Sequence, residues 1–512
     1  MAAGQVVDSM AVDRRNIVAV GNRLQYDPDF RSYTRIDLHG RSIVPGLIDA
    51  HTHFYLMSQS RAQVKLDGCT SLKQCLARIR KHASGLSSRR WVLGSGFTPE
   101  AFRERVIPDK KTLDEVTGGR PAFIFFKDTH TAWVNTKALA FGDIDELTRD
   151  PEGGRIERLP NGEPSGILRE VPAYLDLYRR LPGLPKSEAE RCYRETVDDA
   201  YRLGVTGIHS FDGPDGFEFF AAMEEKGKLG LRINYYPPGA MLDRLERTDT
   251  RYGTGTEFFR IAGVKLFADG ALGSQTALCF NRYDGTRDNY GIEVTSVRDM
   301  TRLIKRAARL GLPSAVHAIG DRAVSNVLDA IEKSKTPKLR HRIEHLQLSR
   351  RKDLLRLRNL GVVASTQPSH CPSDIDMVRA YWSKRSRNAY VFRTVLDKRI
   401  ALAFGSDAPV EPLHPIHGIA AAVRRARPGS RDVFHPEQRI FAGEALEAFT
   451  TGAAYACGQE FSRGRLLPGY PADFVVLERD LTKVAPGRIY DTGVLATVLD
   501  GSARYVHSSL KW

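Results

Sequence analysis

Val44-Pro45-Gly46-Leu47-Ile48-Asp49-Ala50-His51-Thr52-His53-Phe54 is an apolar run that closes on two histidines one residue apart. On a strand, residues i and i+2 share a face, so His51 and His53 present two imidazoles side by side. Two neutral imidazoles at that spacing suit a divalent cation, although a bare His-x-His also describes two packed or surface histidines. The preceding Pro-Gly-Leu-Ile-Asp favours the cation, because Asp49 falls on the same face and is placed to orient a ligand from behind.

On either side of this stretch the chain changes character. Residues 1–45 alternate apolar and polar positions, as in Ile17-Val18-Ala19-Val20 and Arg35-Ile36-Asp37-Leu38, with Gly21 and Gly40 as breaks. That pattern predicts short antiparallel strands. At the other end, Ala472-Asp473-Phe474-Val475-Val476-Leu477 reads as one strand, and 494–499 joins 503–507 through the turn Asp500-Gly501. Neither end can bury a core alone, so one small β-sandwich is expected from both, residues 1–45 and 459–512.

Between them, over residues 46–458, strand, loop and helix repeat. After the first strand, others are expected at 204–209, 231–236, 261–267, 313–317, 342–345, 362–365 and 400–407, with helical periodicity at 189–203 and 323–333. Eight strands with intervening helices predict an α/β fold, the (β/α)8 TIM barrel. The region is longer than the roughly 250 residues such a barrel needs, and the excess falls between the first two strands. Residues of about 60–185 are therefore expected to form an inserted subdomain with its own strand, Pro121-Ala122-Phe123-Ile124-Phe125-Phe126, attached where it would overhang the active-site mouth.

Composition narrows the classes. With 42% hydrophobic and 27% charged residues and no run of eighteen apolar residues, the chain is globular and is expected to enter no membrane. Met1 to Met10 has no basic patch followed by an apolar core, so no secretory signal is expected. Cys69, Cys75, Cys192, Cys279, Cys371 and Cys457 lack paired spacing and read as reduced thiols of a cytoplasmic protein. The net charge of +15 would permit nucleic-acid binding, but Lys and Arg are spread from Arg14 to Lys511 and lack aromatic interleaving. A solvated basic surface, a small-molecule substrate and no nucleic acid are expected; a homodimer is left open.

His51, His53, Lys265, His317, His345 and Asp407 each stand at or near the carboxyl end of an expected strand, the face where barrel active sites gather. Singly, His317 and His345 could be core histidines and Asp407 a cap. Six at one rim point to a metal site.

Pro45-Gly46-Leu47-Ile48-Asp49-Ala50-His51-Thr52-His53, Arg342-Ile343-Glu344-His345 and Gly405-Ser406-Asp407 resemble the signatures of the amidohydrolase superfamily. Val264-Lys265-Leu266-Phe267-Ala268-Asp269-Gly270-Ala271-Leu272-Gly273-Ser274 resembles its family 3 branch, which includes N-substituted formamide deformylase. The resemblance covers nearly the whole chain. It implies His51, His53 and Asp407 on one metal ion, His317 and His345 on a second, and Lys265 bridging. The ions are expected to be divalent, zinc first among them, with a one-metal site as the alternative. The chain begins late relative to the family, so its first sandwich strand is expected to be missing.

A lysine amine of pKa about 10.4 cannot ligate while protonated, so Lys265 must be modified; a carbamate formed with carbon dioxide would be an anionic bridge. The expected chemistry is hydrolysis of a non-peptide carbon–nitrogen bond by a metal-activated hydroxide, with Asp407 as general base and then acid. A non-catalytic binding or regulatory protein on the same scaffold is the alternative. His341-Arg342-Ile343-Glu344-His345 also fits the His-x-x-Glu-His string of inverted zinc proteases, which needs a helix where this segment reads as a strand. His130, Asp269 and His370 are the expected substrate contacts, with His209, Gln347 and Gln367 as further candidates. Thr129 and His414 depart from the branch pattern and would reshape the pocket.

Overall fold

The computed structural model describes residues 6–99, 102, 108–127, 131–336 and 338–512. The chain divides into two compact units, Met1–Leu56 with Arg194–Trp512, and Met57–Tyr193. In the first unit the parallel strands are β1 (Leu47–Thr52), β2 (Val205–Ser210), β3 (Arg232–Tyr235), β4 (Val264–Phe267), β5 (Ser314–Ala318), β6 (Arg342–His345), β7 (Val363–Thr366) and β8 (Leu402–Phe404).

These strands form two parallel arcs. One runs β1, β2, β3 and then the short strand Phe259–Ile261; the other runs β4 to β8 in chain order. The single strand expected over 261–267 is thus two, each paired into a different arc. The arcs touch at both ends. Lys265 N–H donates to Pro237 O at 2.9 Å, and Asp407 N–H donates to His51 O at 2.7 Å. Every residue of β1 is buried, as befits a parallel strand covered on both faces. The result is a barrel-like α/β domain. β1 can begin where it does because residue 46 is glycine: a methyl group there would fall 2.3 Å from Thr206 Oγ1 on β2.

The helices follow local rules. In Val297–Arg309, Ser296 Oγ caps the first turn by accepting from Asp299 N–H at 3.2 Å, and Met300, Ile304 and Ala307 form the buried stripe. Lys186–Arg202 and Asp321–Ser334 cover the helical periodicities expected at 189–203 and 323–333. Among the described residues no helix is long and apolar enough to cross a membrane.

Both ends of the chain share one antiparallel sheet, ordered Ser502–Val506, Val494–Leu499, Phe474–Leu477, Ser42–Pro45. Asp500 and Gly501, at φ 58° and 72°, make the tight turn that the Asp-Gly pair favours. A separate hairpin, Ser9–Asp13 with Asn16–Gly21, contributes Ile17 to a core with Phe474, Val476 and Val498. Arg35-Ile36-Asp37-Leu38 forms no strand, contrary to its alternation. Leu38 reaches that core while Ile36 is exposed, so the apolar residues do not act together on one strand face; the Leu38 carbonyl instead closes a turn by accepting Arg41 N–H at 3.1 Å. Arg232 of β3 ties the barrel-like domain to this sheet, donating from Nε to Asp473 Oδ2 at 2.7 Å and from Nη2 to Asp500 Oδ1 at 3.0 Å.

The second unit has a six-stranded sheet ordered Val64–Lys65, Val92–Phe97, Ala122–Phe126, Thr131–Val134, Pro164–Arg169, Arg155–Arg158. Alternation along Ala122–Phe126 sends Ile124 and Phe126 into one core and Phe123 into another, so both faces of the sheet are covered.

Candidate metal centre

β1 carries His51 near its carboxyl end with His53 just beyond it, and the turn after β8 brings in Asp407. Asp407 Oδ1 lies 3.5 Å from His51 Nε2 and 3.4 Å from His53 Nε2. Ligand atoms of all three fall within 4.8 Å of one another. The remaining groups surround this cluster. The His317 and His345 rings are 4.5 Å apart between centroids, and His345 is 4.9 Å from His51. Lys265 Nζ lies 4.9 Å above both the Phe211 and Phe267 rings, and Phe211 stacks on His51 at 4.2 Å. His370 Nε2 is 3.5 Å from Asp407 Oδ2.

Hydrogen bonding fits these rings for a cation. His51 Nδ1 is 2.7 Å from Glu344 Oε2, which accepts its N–H, and the opposite nitrogen, Nε2, is buried without a hydrogen-bond partner. His345 Nδ1 donates to Gln367 Oε1 at 2.8 Å, and His317 Nε2 donates to Gly270 O at 3.0 Å. An acceptor on one ring nitrogen fixes the tautomer and leaves the lone pair of the other free, as a metal ligand requires. Burial and then the nearby Lys265 lower the pKa of His51 to about 4 and of His317 to about 3. Burial and then His317 push His345 down as well, so the three rings are neutral. His53 and His370 differ. Burial disfavours their charge, but contact with Asp407 outweighs it and raises both. Burial alone would raise the Asp407 carboxyl; His370 and His53 overcome it and hold it well below the usual carboxylate range.

The backbone is unusual here. His345, Leu346 and Asp407 have φ of 71°, 45° and 63°, a region few non-glycine residues adopt and one that collects at functional sites. Alternation on β6 would send Glu344 and His345 to opposite faces. The left-handed backbone at His345 lets both serve the same centre.

Several expectations need correction. Asp49 orients no ligand ring: it accepts backbone N–H groups of His51 and Ser406, each at 3.0 Å, and the orienting carboxylate is Glu344. Asp269 is 2% exposed and accepts from the backbone of Leu278, Ile319 and Gly320, which makes it a strut for its loop, with Oδ1 3.6 Å from His317 Nε2. Burial raises its pKa to about 7. His209 is fully buried, its Nδ1 accepting from Arg342 Nη1 at 2.7 Å. His341 accepts Ser314 N–H at 3.0 Å and stands just before β6, and the rest of the string is strand, which removes the helical zinc-protease string. His414 caps the helix Pro415–Arg424 and stacks on His417 at 3.4 Å. Gln347 is buried, and Gln367 supports His345. Thr129 and His130 lie outside the described residues. The residues missed were Glu344 and Arg342. Their two-residue spacing on one strand face was the available signal, the same spacing that singled out His51 and His53.

Neutral imidazoles, a lysine and a carboxylate gathered at the carboxyl ends of parallel strands define a metal-dependent hydrolase on a barrel-like domain. The sequence pattern of the amidohydrolase family matches residues 34–505, and the chain belongs to that family. It is 31% identical over 518 residues to the protein LONG AFTER FAR-RED 3 of Arabidopsis thaliana, covering 97% of this chain and 88% of that one. It is 26% identical over 487 residues to the N-substituted formamide deformylase of Arthrobacter pascens, covering 92% and 89%. Among solved structures, an uncharacterized metal-dependent hydrolase from Pyrococcus furiosus superposes with a TM-score of 0.79 at 28% identity, covering 93% of this chain and 95% of that one.

Proposed function

We propose that the chain hydrolyses a carbon–nitrogen bond in a small non-peptide amide, formamide or cyclic amide, with Asp407 moving the proton. The observation that carries this is the setting of Asp407, whose two oxygens lie 3.4 to 3.5 Å from His51, His53 and His370 at one rim. The relative named N-substituted formamide deformylase supports the bond type. We read the two arcs as one closed (β/α)8 barrel and the terminal sheet with its hairpin as a β-sandwich.

His51, His53 and Asp407 would hold one divalent cation, and His317 with His345 a second, with Lys265 between them. Zinc is the cation proposed. When bound, such ions supply a water of pKa about 7 and a polarised carbonyl. Burial lowers the Lys265 pKa to about 8, so a useful fraction of its amine is neutral. That amine attacks carbon dioxide, a nitrogen–carbon bond forms, and one proton leaves to solvent, giving an anionic carbamate. Asp407 accepts a proton from the attacking water as the new carbon–oxygen bond forms. It then returns that proton to the nitrogen as the carbon–nitrogen bond breaks. His370, against Asp407, is placed to meet the substrate and hold it near that carboxylate.

Metal analysis coupled to a panel of amides, formamides and cyclic ureas tests this. Bound zinc is expected, together with turnover of at least one compound that a chelator abolishes and added zinc restores. Cation-loaded protein inert across the whole panel would overturn the proposal.

A further inference from the structure

Behind His51 lies an arrangement that the other two tautomer-fixed rings lack. Glu344 is fully buried, and both its oxygens are occupied. Oε1 accepts from Arg342 Nε at 2.8 Å; Oε2 accepts from His51 Nδ1 at 2.7 Å and from Arg342 Nη2 at 3.2 Å. Arg342 is itself held on every side. It donates to Ala50 O at 2.7 Å, to Ser365 Oγ at 2.8 Å, to Tyr236 OH at 3.1 Å and to His209 Nδ1. The Ala50 carbonyl belongs to the residue just before His51, so one guanidinium fixes both the backbone next to the ligand and the carboxylate behind its ring.

His317 and His345 are supported differently: His317 Nε2 donates to the Gly270 carbonyl, with Asp269 Oδ1 at 3.6 Å too far for a hydrogen bond, and His345 donates to the Gln367 amide. A charge-assisted bond is shorter and roughly twice as strong as a neutral one, so His51 is held more tightly in tautomer and angle. The gain comes from preorganisation, since Arg342 balances the charge of Glu344. His51 also has its ring stacked on Phe211, which leaves little motion to lose when a cation arrives.

We propose that Glu344, clamped by Arg342, is a positioning residue that makes His51, His53 and Asp407 the tighter of two cation sites, filled first and without help from Lys265. This rests on the metal-dependent reading above. It adds an order of loading: one cation held firmly at the β1–β8 side, then a second at His317 and His345 that depends on the state of Lys265.

The test is a zinc titration of metal-free, full-length protein against a chromophoric chelator, with circular dichroism to establish that each variant is folded. Wild type is expected to load in two steps separated by about tenfold or more, and Lys265→Ala to keep the tighter step. Glu344→Gln is expected to weaken the tighter step by about 10–100-fold and to leave the weaker one within about threefold. A merely structural ion pair would lower stability and leave the first step alone. That result, or equal weakening of both steps, overturns the proposal. Should Glu344→Gln fail to fold, Gln367→Leu decides from the other side: it is expected to weaken the second step only, and a weakened first step overturns the assignment. Wild type that binds no zinc at all would instead sink the hydrolase reading, and this proposal with it.

Discussion

Gly405 passes so close to His51 that a methyl group on it would fall 2.3 Å from the His51 backbone nitrogen. The contact explains why glycine precedes Ser406 and Asp407. Ser406 N–H donates to Asp49 Oδ1 at 3.0 Å and Asp407 N–H to His51 O, so the turn after β8 is zipped directly onto β1. Gly405→Ala should wedge the two apart. Overpacking of this kind costs about 1–3 kcal/mol, and the displacement of Asp407 from His51 should weaken cation binding as well. Thermal unfolding and zinc retained after gel filtration measure both effects; wild-type retention would show that the contact yields harmlessly.

Asp407→Asn keeps one oxygen for a cation but cannot take up a proton. General acid–base groups typically contribute about 10²–10⁴-fold, and kcat is expected to fall by that much while most of the zinc stays bound. Turnover near wild type would assign the proton to another group.

Under gentle native mass spectrometry, wild type is expected to carry the extra mass of one carbon dioxide, removed by acid and absent from Lys265→Ala. The same variant should lose turnover. A fully active Lys265→Ala would mean that the amine only lines the pocket between Phe211 and Phe267.

The pH dependence follows from the imidazoles. Contact with Asp407 outweighs burial at His53, so its pKa lies above the usual 6.5, whereas those of His51 and His317 lie near 4 and 3. Of these three only His53 is shifted toward its charged form, so it is the one from which a bound cation would displace a proton. Zinc affinity should therefore fall as pH drops through the raised His53 value, with proton release from this group on binding. The metal-free protein should show the opposite trend. A raised folded-state pKa stabilises below the unfolded value, and that stability fades as pH rises through the folded one. Release of three protons, or affinity flat from pH 6 to pH 8, would count against the assigned charge states.

Arg232→Ala should loosen the join between β3 and the terminal sheet. Removing one partner of a buried ion pair costs about 3–5 kcal/mol, because Asp473 would lose its guanidinium partner and Asp500 would keep only Arg15. Denaturant unfolding would register the loss. A change below about 1 kcal/mol would place the pair among surface salt bridges of little consequence.

The parallel strands and the gathering of six polar residues around one rim were legible because both follow from local pattern: apolar runs ending in a polar side chain. What escaped depends on which strands become neighbours. Glu344 has no meaning until β6 faces β1, and Asp49 looked like the orienting carboxylate because adjacency in sequence was the only guide. The backbone amides that Asp269 accepts come partly from beyond β5, which the sequence around it does not show. The left-handed residues His345 and Asp407 break the alternation on which strand reasoning relies, and they do so at the centre itself.

Ser42–Pro45 pairs with Phe474–Leu477, then passes through Gly46 into the strand that bears His51. On the ribosome, Ser42–Pro45 emerges long before its partner Phe474–Leu477. At about 5–20 residues per second the edge next to the metal-binding strand waits on the order of half a minute for its cover. A nascent chain stalled before residue 474 would hold every rim ligand yet leave that edge bare, an open template for aggregation. The strand leading into β1, and so into His51, is thus covered only once Phe474–Leu477 has been made.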